Sequence, residues 1–399
     1  MSDTADRTTE EGLRLAGDEM STGFYGLSVA EWAIVLIAVN NVALPSVMPV
    51  VIGTLSRDLG FGVARAGYIT SISGAAMVLG AICFPFLVLH FKRWVLLTGG
   101  ILFMVLGFVL TVLSPDYHWL IATRALTGFA DGIAAAACYS LMAGSSNPSR
   151  LLGMYAAGQG LVGIIGMALL PSVIAVLGWR SLFLFAAIIA IPALLFAPRV
   201  GKYHESGALV LRRATFLLPG KALASLGTIF LMFAGLAATW GFMQPIGEAR
   251  GYGTGMISFA MSLSAAAQLI GSLLVGLVAY RLSIRGAALY GSAAIAIAIA
   301  ALSFPGYAAF CAAIFALNFA WGFLFPFLFR GLSNSDPTGR AASVTSVVTA
   351  SAVSIATAVS GALLEELGET SLIVGGGLLA IAGLALASAL HGEASEDKA

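Results

Sequence analysis

The sequence predicts an all-α polytopic membrane protein, with twelve transmembrane helices arranged in two six-helix halves. Three observations lead there. The 399-residue chain is 59% hydrophobic and only 10% charged, whereas a soluble chain spends about a quarter of its residues on charge. Its apolar runs repeatedly reach the roughly 20 residues that a helix needs to cross a bilayer. Lysine and arginine collect in alternate loops, as they do when one side of a membrane retains them.

The elements follow in order. Residues 1–27 are polar and acidic, with no basic start, no apolar h-region and no small-residue cleavage site, and read as a cytoplasmic tail. Spans are expected near 30–54, 64–89, 94–114, 117–142, 151–177 and 181–198, forming a first half over 28–198. The two prolines of "ALPSVMP" should bend span 1. A basic linker, 199–221, joins this half to a second one over 222–390. Its spans are expected near 222–247, 254–280, 286–305, 307–330, 340–364 and 370–390. Residues 391–399, "HGEASEDKA", read as a second cytoplasmic tail. With the N-terminus inside, fifteen Lys and Arg fall on the cytoplasmic side and four (Arg57, Arg65, Arg180, Arg250) on the other. Two such halves around a midplane site are the plan of many secondary transporters.

Composition also excludes functions. The net charge of +1 says nothing about a nucleic-acid partner, but no basic patch with interleaved aromatics is present for one to hold. No phosphate loop, HExxH or nucleophile–base set supports an enzyme, and no metal or other cofactor is implied. Cys83, Cys138 and Cys311 lie in apolar runs, match no metal-site spacing and read as small packing residues. The 47 glycines, including those of span 5, and the Ser/Thr/Ala-rich span 11 suit close helix packing.

The stretch "RALTGFADGI" stands apart, because it puts Arg124 and Asp131 in an apolar run. At 100° per residue, Arg124, Thr127, Gly128, Asp131, Ala135 and Cys138 share one face of span 4. Leu126, Phe129, Ile133 and Ala137 share the other, so the small and polar stripe should face protein or water. Seven residues at 1.5 Å rise separate the two charges by about 10 Å. Their attraction at that distance is about 1.6 kcal/mol in a dielectric of 20, and desolvation of the carboxylate opposes it. Intramembrane ionisable groups are usually functional. Arg124 is the candidate anchor for a substrate anion, and Asp131 the candidate proton-coupling group. The competing reading is a pair that locks span 4 to its neighbours.

Other mid-span polar groups are Asn40 and Asn41 in span 1, Gln268 in span 8 and Asn318 in span 10. Span 10 carries Asn318, Trp321, Gly322, Phe325 and Phe329 on one face; span 7 carries Phe233, Trp240, Met243, Gln244 and Gly247. Such stripes serve packing or a flat amphipathic ligand. Glu31, Glu248, Arg250, Glu365 and Glu366 read as interfacial charges.

These residues resemble the major facilitator superfamily over about 30–390, and within it a bacterial branch. Arg124 with Gly128 and Gly132 resembles the family's Arg-x-x-x-Gly-x-x-x-Gly pattern in span 4. "GLVAYRLSIRG" resembles its loop turn, with Gly276, Arg281 and Arg285 matching and Tyr280 in place of Asp. "LGWRSLFLF" resembles the usual start of span 6. The equivalent turn of the first half, "VLHFKRWVLL", keeps only Lys92 and Arg93, and span 5 lacks the Gly-Pro pair of drug–proton antiporters. The resemblance implies alternating access and a cavity lined by spans 1, 4, 7 and 10. That lining favours Asn40, Asn41 and Asn318 over Gln268 and assigns a gating role to Gly276, Arg281, Arg285, Lys92 and Arg93.

The combined expectation is a monomeric, multi-pass carrier in the bacterial cytoplasmic (inner) membrane, with both termini cytoplasmic. Its partners are a small-molecule substrate, protons and the lipid bilayer. The substrate site would comprise Arg124, Asn40, Asn41, Trp240, Gln244, Asn318, Trp321 and Phe325, with Asp131 coupling the proton. The first expectation is symport of an organic anion, aromatic ones included. The alternatives are proton-antiport efflux of amphipathic compounds and a transporter-like ligand receptor.

Overall fold

A computed structural model describes residues 27–114, 116–143, 145, 148–202, 218, 220–278, 281–335 and 340–388. Residues 1–26, 203–217 and 389–399, which hold most of the expected tails and linker, lie outside the described residues.

Helix α1 runs in three pieces, Val29–Asn41, Ala43–Ser46 and Met48–Asp58. It is followed by α2 (Gly62–Leu87), α3 (Arg93–Val112), α4 (Tyr117–Ala143), α5 (Pro148–Leu177) and α6 (Ser181–Phe196), with a 3-10 turn at Ala197–Lys202. Helix α7 is in two pieces, Gly220–Trp240 and Met243–Ala249. The chain continues through α8 (Thr254–Val278), α9 (Ile284–Ala301), α10 (Tyr307–Ser335), α11 (Arg340–Leu367) and α12 (Glu369–Ser388). Among the described residues, eleven helices are long and apolar enough to cross a bilayer. The remaining crossing is α1, whose first piece has 13 residues. The end of the bundle where α1 begins is called proximal below, and the opposite end distal.

The interruption of α1 has a local cause. Pro45 and Pro49 have no backbone N–H, so the carbonyls four residues earlier lose their helical donors. The backbone adjusts with tighter bonds, from Val42 N–H to Val39 O (3.2 Å) and from Val47 N–H to Leu44 O (3.0 Å). The start of α1 is closed by a capping box. Ser28 Oγ accepts from Glu31 N–H at 3.2 Å, and Glu31 Oε2 accepts from Ser28 N–H at 2.8 Å. Glu31 is thereby a helix cap.

Within each half, glycines let two backbones touch. A Cβ on Gly128 would strike the Ser73 carbonyl of α2, one on Gly132 the Met77 carbonyl, and one on Gly80 the Phe129 carbonyl of α4. In the second half, a Cβ on Gly271 would strike the Phe319 carbonyl of α10, and one on Gly322 the Gln268 carbonyl of α8. The α2–α4 and α8–α10 contacts are thus built alike.

Two seams join the halves, α2 against α11 and α5 against α8. Both are rich in small residues. Gly74 meets Ser354, and Gly361 meets Ala64 across the first seam; Gly160 meets Leu269 and Gly163 meets Ala265 across the second. Ser354 Oγ donates to Ser71 O at 2.7 Å. The expected packing roles of the α5 glycines and of α11 match these contacts. Large apolar side chains such as Leu79, Phe86, Leu177, Leu277 and Ile381 are exposed on the bundle's outside, where a bilayer would cover them.

Candidate functional site

Between the halves lies a cavity of about 180 Å³. Both charged residues of the span-4 motif line it, with Thr127 one turn from each. The glycine contacts explain why. Gly128 and Gly132 face α2, which brings α4 close enough for Arg124 to reach Ser73; Arg124 Nη2 donates to Ser73 Oγ at 3.3 Å. The guanidinium also sits over the rings of Phe108 and Phe183, 5.4 and 5.3 Å from their centroids. These rings hold the group while leaving its charge intact.

The polar inventory is incomplete by itself. Arg124 is only 7% exposed, yet its Nη1 has no hydrogen-bond partner among the described residues. Asp131 Oδ1 and both amide atoms of Asn40 are likewise unpartnered among them. Arg124 and Asp131 form no ion pair among the described residues. Asn41 differs from its neighbour. With its amide oriented to satisfy both atoms, it donates to Ile37 O at 3.2 Å and accepts from Ala135 N–H at 3.1 Å. The same face of α4 continues to Cys138, whose Sγ lies 4.0 Å from Ile34 O of α1.

The second half supplies a different wall. Phe233 of α7 meets Trp321 of α10 edge to face, with centroids 4.3 Å apart and an angle of 86°. Phe325 stacks beside Trp321 at 5.3 Å and 30°. All three line the cavity, together with Gln268 and Gly322. The charged groups of the cavity therefore lie on the first half, and this aromatic cluster on the second.

Of the residues expected at the site, Asn40, Asn41, Arg124, Asp131, Trp321 and Phe325 come together around the cavity. Trp240, Gln244 and Asn318 stand apart from its lining. Asn318 is 2% exposed and donates to Ile314 O of its own helix at 3.1 Å. Gln244 follows the break in α7, fills the space a Cβ on Gly53 would need, and donates to Glu248 Oε1 at 3.0 Å. Trp240 is buried immediately before that break. The lining also extends beyond helices 1, 4, 7 and 10, since Gln268 belongs to α8. The loop-motif residues lie at the proximal end. Lys92 occupies the N-cap position of α3, Arg93 begins it, Gly276 is in the last turn of α8, Arg281 is in the following turn, and Arg285 is in the first turn of α9. Tyr280 lies outside the described residues.

Several lining residues escaped the sequence reading. Tyr155 and Gln159 are four apart on α5, and Thr70 and Ser73 are three apart on α2. Both pairs carry helical spacing that signals a shared polar face. Phe108 and Phe183 carry no such signal, since only the tertiary fold brings them to Arg124.

At the distal end the halves are tied by side chains. Arg57 Nη1 pairs with Glu248 Oε1 at 2.9 Å, linking α1 to α7. Glu365 Oε2 of α11 accepts from Ala64 N–H at 2.8 Å, at the start of α2. Arg250 pairs within its own half, with Glu369 at 2.9 Å.

Among the described residues, eleven helices of bilayer-spanning length and the shorter, interrupted α1 surround a central, partly polar cavity, the architecture of a polytopic membrane protein. Residues 32–361 match the model of the Major Facilitator Superfamily, and the chain belongs to that family. It is also similar to the transcription regulatory protein OpdE of Pseudomonas aeruginosa, at 26% identity over 273 residues. That match covers 64% of this chain and 65% of OpdE.

Proposed function

We propose that the protein is a proton-coupled secondary transporter that carries a small organic anion by alternating access. The carrying observation is Arg124, a buried cation in the cavity wall with one nitrogen unpartnered and no ion pair to Asp131 among the described residues. A buried charge is costly unless paired, and a ligand anion supplies the pair. The aromatic wall supports anions that carry a ring. Asp131, on the same cavity, is the group that takes up and releases the coupling proton, so that substrate and proton travel together. Both termini then face the cytoplasm, the membrane is the bacterial inner one, and the working unit is the monomer.

The test uses full-length protein in liposomes with a panel of organic acids, following uptake and internal pH. An acid that drives proton entry in wild type, loses this coupling in Asp131→Asn and loses binding in Arg124→Ala supports the reading. Undiminished coupled transport in both variants overturns it.

Two other readings have specific support. The rings of Phe233, Trp321 and Phe325 suit an organic cation, in which case an amphipathic amine is exported against entering protons. The name of OpdE, a transcription regulatory protein, favours a receptor that binds its ligand without carrying it. Binding without flux in the same liposomes identifies that case.

A further inference from the structure

We propose that the cavity recognises its ligand at two ends. Arg124 holds the acid, and Asn40 holds a neutral group that both donates and accepts a hydrogen bond, a hydroxyl or an amide. This rests on the reading of Arg124 as the anion anchor.

Asn40 is 2% exposed, lines the cavity, and has no partner for either its amide oxygen or its amide nitrogen among the described residues. An unpaired amide away from water is costly. The adjacent Asn41 shows what a satisfied asparagine looks like in this helix, bonded to Ile37 O and Ala135 N–H. The two asparagines divide their work, one packing α1 on α4 and the other presented to the cavity.

Position separates Asn40 from the acid anchor. The bond from Asn41 sets this part of α1 level with Ala135 of α4. Ala135 lies eleven residues beyond Arg124, or roughly 16 Å along the axis, part of which the arginine side chain spans. One carboxylate does not reach both groups directly. The wall opposite is aromatic, so a ring against Trp321 and Phe325 can bridge the interval.

The chemistry of the second end follows from the amide itself. Its oxygen needs a donor and its nitrogen needs an acceptor. A hydroxyl or a primary amide supplies both. A second carboxylate supplies acceptors alone, an ammonium donors alone, and a methyl neither. A site built to hydrogen-bond a substrate group discriminates strongly against the analogue lacking it, because its own polar atoms are then left unpaired.

The experiment measures binding of four para-substituted benzoates to the full-length protein in lipid nanodiscs. The substituents are methyl, hydroxyl, carbamoyl and carboxylate. The hydroxyl or the carbamoyl compound is expected to bind at least about tenfold more tightly than the methyl and carboxylate compounds, and the stronger of the two identifies the neutral group. Asn40→Leu, close in shape, should erase that advantage and leave the methyl compound unchanged. Equal affinities in wild type overturn the proposal, as does an advantage that survives in Asn40→Leu. The wild-type ranking decides alone if that variant fails to fold. No binding by any of the four, from protein with a cooperative melt, instead removes the anion reading on which this one stands.

Discussion

At the scale of single residues, Arg124 is positioned by groups that leave its charge available. Ser73 is a neutral acceptor, and Phe108 and Phe183 present ring faces. The planar guanidinium can stack between rings and still direct an N–H outward; an ammonium cannot do both. Arg124→Lys should therefore retain the charge and still weaken acid binding, by about tenfold or more if one charge-assisted hydrogen bond is lost. Titration of the purified variant with the best acid checks this, and unchanged affinity would mean that charge alone matters. Gly128 is the second sensitive residue. Because its Cβ position coincides with the Ser73 carbonyl, Gly128→Val must push α4 off α2. Overpacking of this kind costs about 1–3 kcal/mol, so the expected outcome is a lower melting temperature and loss of the Arg124–Ser73 bond. The charges of α4 were legible in the sequence because any charge in an apolar run is conspicuous. The two phenylalanines were not, because a ring in an apolar run is ordinary and only contacts distant in sequence give it a role.

At the scale of elements, the first helix of each half is the interrupted one. Helix α1 breaks at Val42 and Val47, and α7 breaks at Gly241 and Phe242. Interruptions in matching positions of two halves mark the substrate region in transporters, and the first break in α1 lies immediately after the asparagine pair. Pro45→Ala restores an N–H for the Asn41 carbonyl. If the interruption is what sets the orientation of Asn40, the variant should melt at a higher temperature yet bind ligand more weakly. A higher melting temperature with unchanged affinity would confine the break to a packing role. The bend in α1 was legible from its prolines. The break in α7 carries the same kind of signal, Pro245, which leaves the Gly241 carbonyl without a helical donor, but that proline escaped the sequence reading. That second break explains why Gln244, sharing a projected helical face with Phe233, ends against Gly53 and Glu248 instead of in the cavity. Asn318 shows a different limit, because an asparagine satisfied by its own helix and one free in a cavity have the same sequence signal.

At the scale of the molecule, the proposed alternating access would require rocking of the halves about the seams and release of the distal ties. The seams pack mainly small residues at close range, and one hydrogen bond, from Ser354 Oγ to Ser71 O, crosses the first. The tie between Arg57 and Glu248 is weak by its exposure, with side chains 46% and 30% accessible. Pairs of that kind contribute about 0.2–1 kcal/mol, enough to shift a two-state balance by at most about fivefold. This magnitude suits a latch that biases the distal closure without locking it. Leu55 lies in the cavity lining near that end, fully buried in the closed arrangement, and a cysteine there reports its opening when the three native cysteines are replaced by serine. Glu248→Gln should raise the rate of labelling of Leu55→Cys up to about fivefold. The exchanged pair Arg57→Glu with Glu248→Arg should return the rate toward that of the parent, and high salt should raise the parent's rate toward that of Glu248→Gln. Labelling indifferent to all three changes would shift the closure to contacts that carry no charge, such as that of Gly241 with Met48.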